Sequence, residues 1–398
     1  MMRSEASWGA RCALLAACFC GPLAWAGAPL DWHRPWREPL DPRAAAERSD
    51  EYAWALFVAL NWPASTSGAS EPKASLGSDQ PVVWETWISA SSVYREDGHD
   101  PGPWRQSDAP VHAADRHFED MPSRDRANLR HIVGGVMVPV VDPVAGARRL
   151  TEIRMNLPAF EFVRARQLYN IEGQLRSFDS GQPVQFPYGA REVKAKWRPI
   201  TQAERGRYHT LSVRHAGGSA KLYGLTALHI ASKDLPHWFW ATFEHVDNPQ
   251  LADNEGWRLR SRDVFACGRV AADCNQAPRG IGLEGTVWQY YRLRGTLTSY
   301  TDAQGAPNLL ANSELEPGMQ STSSCITCHS RSTIANVDGH PARLAAFDRS
   351  VSTPEDPTAR RGYVGEPTWL VAGGVWDGRA YQSLDFVWSL SKAQRFVP

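Results

Sequence analysis

Glu192-Val-Lys-Ala-Lys-Trp197, Tyr208-His-Thr-Leu-Ser-Val-Arg214, Leu222-Tyr-Gly-Leu-Thr-Ala-Leu-His-Ile230 and Trp238-Phe-Trp-Ala-Thr-Phe-Glu-His245 are four short runs rich in β-branched and aromatic residues. Pro, Gly, Asn and Asp bound them, which is how strands are punctuated. Successive side chains of a strand point to opposite faces, so Glu192 and Lys194 share one face, as do Phe243 and His245. These runs predict a β-rich body. Trp84, Trp87, Trp238, Trp240 and Phe243 supply the bulk its core needs.

Upstream, His131 to Val141 is Val-rich and Leu150 to Met155 alternates, with Asp142-Pro-Val-Ala-Gly146 between them. That pattern predicts a hairpin. Ser49-Asp-Glu51 opens a predicted helix from Tyr52 to Asn61 that stops before Pro63, and Asn156 caps one over Pro158 to Tyr169. Residues 27–48 read as an extended lead-in, and 64–81 and 95–110 as Pro/Gly-rich loops. Downstream, Leu315 to Ala346 predicts two short helices and Leu384 to Phe396 a closing helix. The fold class is therefore α+β: a β-rich body over about 27–310, followed by a helical segment over 311–398.

That last segment contains Cys325-Ile-Thr-Cys328-His329. On a helix, positions i, i+3 and i+4 lie on one face, so two thiols and an imidazole can meet one flat ligand. Ser321, Thr322, Ser323 and Ser324 precede the motif as candidate caps. A thioredoxin-like C-x-x-C calls for a βαβ setting, and a structural zinc site for a second Cys/His pair. Neither pattern is present.

The C-x-x-C-H motif resembles the attachment site of c-type cytochromes. The resemblance implies one covalently bound haem c, held by Cys325 and Cys328, with His329 as the proximal iron ligand. Small helical cytochromes place the motif near their start and a Met ligand well downstream, but here no Met follows Cys328. A late motif behind a strand-rich body is more similar to the minority of β-sheet c-type cytochromes. For the sixth iron ligand, His340 in Asp338-Gly-His-Pro is the first choice because its segment is tethered to the motif. His209, His215, His229, His237 and His245, in or beside the strands, are the others.

The N-terminus fits export. Arg3 and Arg11 form a basic region before the short apolar run Cys12 to Phe19, and Ala24-Trp25-Ala26 is an A-x-A cleavage pattern, so residues 1–26 read as a signal peptide to the periplasm. Leu15-Ala-Ala-Cys18 also resembles a lipobox, which would anchor the protein through a lipidated Cys18. In an oxidising compartment Cys267 and Cys274 are expected to close a small disulfide loop, with a redox-active pair as the alternative.

Charge excludes other classes. Lys+Arg and Asp+Glu both number 43. Removing residues 1–26 takes away Arg3, Arg11 and Glu5, leaving a net charge of −1. There is no basic excess for nucleic acid, no charge run for a membrane surface, and no apolar stretch long enough for a transmembrane segment. H-E-x-x-H, G-x-S-x-G and the P-loop pattern are absent. The expected function is single-electron transfer with redox partner proteins of the periplasm. The alternative is a haem-dependent oxidoreductase (peroxidase- or oxygenase-like) or a gas-binding protein, whose open sixth position would take a small-molecule ligand.

Overall fold

The computed structural model describes residues 30–78, 80–104, 130–133, 136–139, 150–214, 220–248, 279–316, 323–344, 365–376 and 378–398. The expected signal peptide with Cys18, the Cys267–Cys274 pair and His215 lie outside the described residues.

The strands are β1 (Ile88–Ser89), β2 (Arg130–Val133), β3 (Val136–Pro139), β4 (Leu150–Met155), β5 (Arg191–Pro199), β6 (Thr210–Arg214), β7 (Ala220–Ser232), β8 (Phe239–His245) and β9 (Tyr291–Leu297). Six of them form an antiparallel path β1-β4-β5-β7-β8-β9, and β6 completes a seven-stranded sheet by pairing with β7. The long β7 makes this possible: β6 lies along Ala220–Gly224 and β8 along Ala227–Ser232. All four quoted runs are strands, and the chain is α+β.

The expected hairpin between 131–141 and 150–155 does not form. β2 pairs with β3, while β4 pairs with β5 and β1. Burial decides the partner of β4: its alternation sets Glu152 and Arg154 opposite Ala195 and Val193 of β5, all four buried.

The sheet is covered on both faces, and each face has its own apolar core. Val193, Ala195, Trp197, Leu228, Ile230, Phe239, Ala241 and Phe243 share one core with the helix Ser49–Leu60. That helix is buried from Tyr52 to Leu60, so it is apolar nearly all round, as expected of a helix enclosed by its protein. Phe57 stacks on Phe243 with ring centroids 4.3 Å apart. Fully burying such a side chain contributes about 1.5–3 kcal/mol. On the opposite face, Met155, Trp240 and Leu297 share the second core with Phe160 and Val163 of the helix Leu157–Ala165. The same core takes in Ile326, Ile334, Leu384 and Leu390, so side chains from 311–398 pack with those of the body.

Asn156 caps the helix Leu157–Ala165, accepting from the Ala159 N–H at 3.3 Å. The helix ends four residues earlier than expected, and Gln167 just beyond it has a φ of 54°. Among the described residues, four helices were not foreseen: the short Ala90–Val93 and Thr368–Val371, and two longer ones with clear caps. Pro42–Glu47 begins with an Asp41 cap and Pro at its first position, a recognised helix start. Ile171–Asp179 follows the cap Asn170, which accepts from the Gly173 N–H at 2.8 Å.

The C-terminal part is mixed rather than helical. Among the described residues of 315–346 there is one helix, Cys325–Ser330, followed by the hairpin β10 (Thr333–Val337) and β11 (His340–Ala342). Asp338 and Gly339 turn this hairpin with φ of 52° and 80°, the conformation that an Asp-Gly pair favours. The expected closing helix is only a 3-10 turn over Trp388–Lys392, because Asp385 and Phe386 before it are left-handed, at φ 51° and 70°. Among the described residues no helix is long and apolar enough to cross a membrane.

Two predictions follow from the packing. A Cβ on Gly173 would lie 1.8 Å from the Gln167 carbonyl oxygen. In an open helix Gly→Ala gains up to about 1 kcal/mol, but here overpacking costs about 1–3 kcal/mol or more. Denaturant unfolding of Gly173→Ala is expected to show the loss, and a stabilised variant would refute the contact. His245 is buried, stacks on Tyr208 at 3.7 Å, accepts from the Asp247 N–H at Nδ1 (3.1 Å) and donates from Nε2 to the Arg207 carbonyl (2.9 Å). Burial lowers its pKa to about 4. The unfolded imidazole takes up a proton near its ordinary value, so stability is full above that value and falls as pH drops toward 4. Unfolding free energies at pH 7 and pH 5 are expected to differ less in His245→Gln than in the parent.

Candidate functional site

The site is built around Cys325–Ser330. Ile326 anchors this short helix in the second core, and the Cys328 N–H bonds the Ser324 carbonyl at 2.9 Å. Ser324 stands at the cap position, but its side chain makes no capping hydrogen bond. The turn leaves Cys325, Cys328 and His329 each half-buried, with both thiols free of disulfides. Burial, with Glu316 beside it, pushes the Cys328 thiol up to about 11. A redox-active C-x-x-C works through a lowered thiol pKa, and burial moves Cys328 the other way.

His329 is oriented by the backbone. Its Nδ1 lies 2.8 Å from the Phe386 carbonyl oxygen. A carbonyl only accepts, so Nδ1 carries the proton and the lone pair sits on Nε2. Burial lowers the pKa of this imidazole to about 4, against the opposing effect of the Phe386 bond and with Lys194 nearby. A neutral imidazole with one nitrogen fixed by a carbonyl is the form that ligates a metal.

The Phe386 carbonyl is itself held in place. Asp385 and Phe386 are consecutive non-glycine residues in left-handed backbone, a conformation that persists only where its surroundings impose it. Those surroundings are explicit. The buried Asp385 carboxylate accepts from Lys233 Nζ at 2.6 Å and from the Phe186 N–H at 2.7 Å. The Leu384 N–H bonds the Ser332 carbonyl at 2.9 Å, and Ser332 Oγ donates to the Val387 carbonyl at 2.9 Å. Trp388 Nε1 donates to the Cys328 carbonyl at 3.1 Å.

The sheet's second face completes the surroundings. Trp240 sets its ring 4.4 Å from the His329 imidazole, centroid to centroid. One row along, Lys194, His229 and Thr242 are direct cross-strand partners on β5, β7 and β8. Above them, Asn312 and Ser313 are pinned to the sheet. Asn312 Nδ2 donates to Thr242 Oγ1 at 2.9 Å, and the Ser313 N–H donates to Glu244 at 3.0 Å. Glu244 is buried between Arg292 (2.6 Å) and Arg294 (3.3 Å). This places Glu316, which accepts from the Asn312 N–H at 2.8 Å, with Oε2 3.6 Å from His229 Nε2. Burial raises the Glu316 carboxyl to about 7, with Lys194 and Lys196 opposing. Burial, Lys194 and His329 together push His229 well below its ordinary value.

Of the remaining expected ligands that the structure describes, His340, His209 and His245 lie apart from this cluster. His340 is exposed at the start of β11, paired with Val337. His209 bonds Glu85 at 3.0 Å and stacks on Trp288, and His245 is stacked on Tyr208. His237 packs between Tyr300 and Phe386. Glu192 accepts a hydrogen bond from Ser389. The sequence reading gave no role to Glu316, Lys233 or Asp385. No local pattern marks them, because their partners are 87, 152 and 152 positions away in the chain.

Asp385→Ala deletes one partner of a buried ion pair and releases the strained turn. Such a deletion costs about 3–5 kcal/mol. Denaturant unfolding is expected to show a loss of this order, with a smaller loss for Asp385→Asn, and an unchanged midpoint in both would mean that the turn is held otherwise.

No protein-family model, no curated protein and no solved structure matches this chain.

Proposed function

We propose that this chain is an exported c-type haem protein carrying one haem c, and that it transfers single electrons. The observation that carries the reading is the His329–Phe386 bond at 2.8 Å, which leaves the Nε2 lone pair available on the same helical turn as two cysteines that form no disulfide. The residues present fit the group. Cys325 and Cys328 would form the thioethers and His329 would ligate the iron, and the group when bound would supply one-electron ferric/ferrous chemistry. The Phe386 carbonyl strengthens the imidazole as a donor and fixes its ring plane. Trp240 and Ile326 supply an apolar wall, and an apolar wall tunes an iron potential through dielectric and solvent access. The helix is half-buried, so an edge of the group would stay open to a partner protein.

A second reading, an open sixth position for a small ligand, is favoured by the polar row Lys194, His229 and Glu316 beside the motif.

Expression in a host that matures c-type cytochromes tests the proposal. Purified protein is expected to keep haem stain after denaturing electrophoresis, to have the mass of the processed chain plus one haem, and to titrate as a one-electron couple. Cys325→Ala with Cys328→Ala is expected to abolish the covalent stain. A bare-chain mass and no Soret band in the parent protein would overturn the reading.

A further inference from the structure

His229 Nε2 is sealed from solvent, and among the described residues it has no hydrogen-bond partner. Its neighbours are otherwise engaged. Thr242 Oγ1 takes the Asn312 amide, and Glu316 takes the Asn312 N–H. The Glu316 oxygen at 3.6 Å is beyond hydrogen-bonding reach. Leaving a buried polar atom unmatched costs about 1–3 kcal/mol, so an orphan of this kind calls for an explanation such as an ion or ligand. Imidazole nitrogen suits iron. The flanking Lys194, as an ammonium, offers only donors.

The register brings this nitrogen to the motif. Trp240 touches His329 and stands two residues before Thr242 on β8, facing the same way. Thr242 is the direct partner of His229 on β7. Two strand positions span about 7 Å. His329 on its helix and His229 on the sheet therefore lie against the same part of the sheet's second face. Of the alternatives already described, His340 is exposed, His209 and His245 are hydrogen-bonded elsewhere, and His237 has its ring packed between Tyr300 and Phe386.

We propose that His229 Nε2 is the second protein ligand of the iron, completing a bis-histidine site with His329. This rests on the haem c reading above and deepens it: two protein ligands make an electron carrier and exclude small ligands from the metal.

The test uses optical spectra of the purified holoprotein and of His229→Ala, ferric and ferrous, with and without CO. The parent is expected to be low-spin in both states and unmoved by CO. His229→Ala is expected to keep its covalent haem stain but to become high-spin when ferric, to bind CO on reduction, and to return to a low-spin spectrum on addition of free imidazole. His229→Met guards against a folding defect: it is expected to stay low-spin with a raised potential, since Met in place of His raises it. A parent protein that is high-spin or binds CO, or a His229→Ala spectrum identical to the parent, would overturn the ligand assignment. Loss of covalent haem from the parent would overturn the haem c reading instead, so the two failures are distinguishable.

Discussion

The alternation of side chains along β5, β7 and β8, reset once in β7 by a register shift opposite Lys196 and Trp197, is the constraint on which everything else in this protein rests. A strand buried on both sides must satisfy two cores at once, and a slip of one residue would exchange them. Val193, Ala195, Leu228, Ile230, Ala241 and Phe243 go to the helix Ser49–Leu60. The residues between them go to the other side, where apolar Trp240 is set beside Lys194, His229, Thr242 and Glu244. The register that closes the first core thus also assembles the polar row on the second face. Slippage is therefore barred twice, by lost apolar packing and by stranded buried charge.

The C-terminal segment is fitted to that second face by a small number of directional contacts. Ile326, Ile334, Leu384 and Leu390 supply the burial. The Asp385–Lys233 pair, the Phe186 N–H and Ser332 supply the geometry, holding two residues in a backbone conformation they would not adopt alone. The outcome is one carbonyl in a fixed place and one imidazole with a fixed tautomer. Free energy spent on straining residues 385–386 is recovered as orientation of His329, a common arrangement at functional sites.

Much of this was legible beforehand, for identifiable reasons. The four strands announced themselves because β-branched and aromatic runs bounded by turn residues are local signals. Asn156 and the Ser49-Asp-Glu51 start are likewise local, and both helices begin where expected, though the second ends four residues early. Three further local signals were present but unread: Asp41-Pro42 as a helix start, Asn170 as a cap, and Asp338-Gly339 as a hairpin turn. Reading the last would have placed His340 on a hairpin end rather than over the motif. The partner of β4 was not readable, since several strands offer compatible alternation and only burial selects one.

The sequence by itself determined the α+β class, the strand positions and the pair of thiols and imidazole on one helical turn, because each depends on spacing within a few residues. Only the tertiary structure decided which histidine stands near that turn, which carbonyl fixes the His329 tautomer, and which carboxylate, Glu316, joins the cluster. Those relations link residues far apart in the chain. They follow from sheet register and from the burial of charged groups, and neither is written in any short stretch of residues.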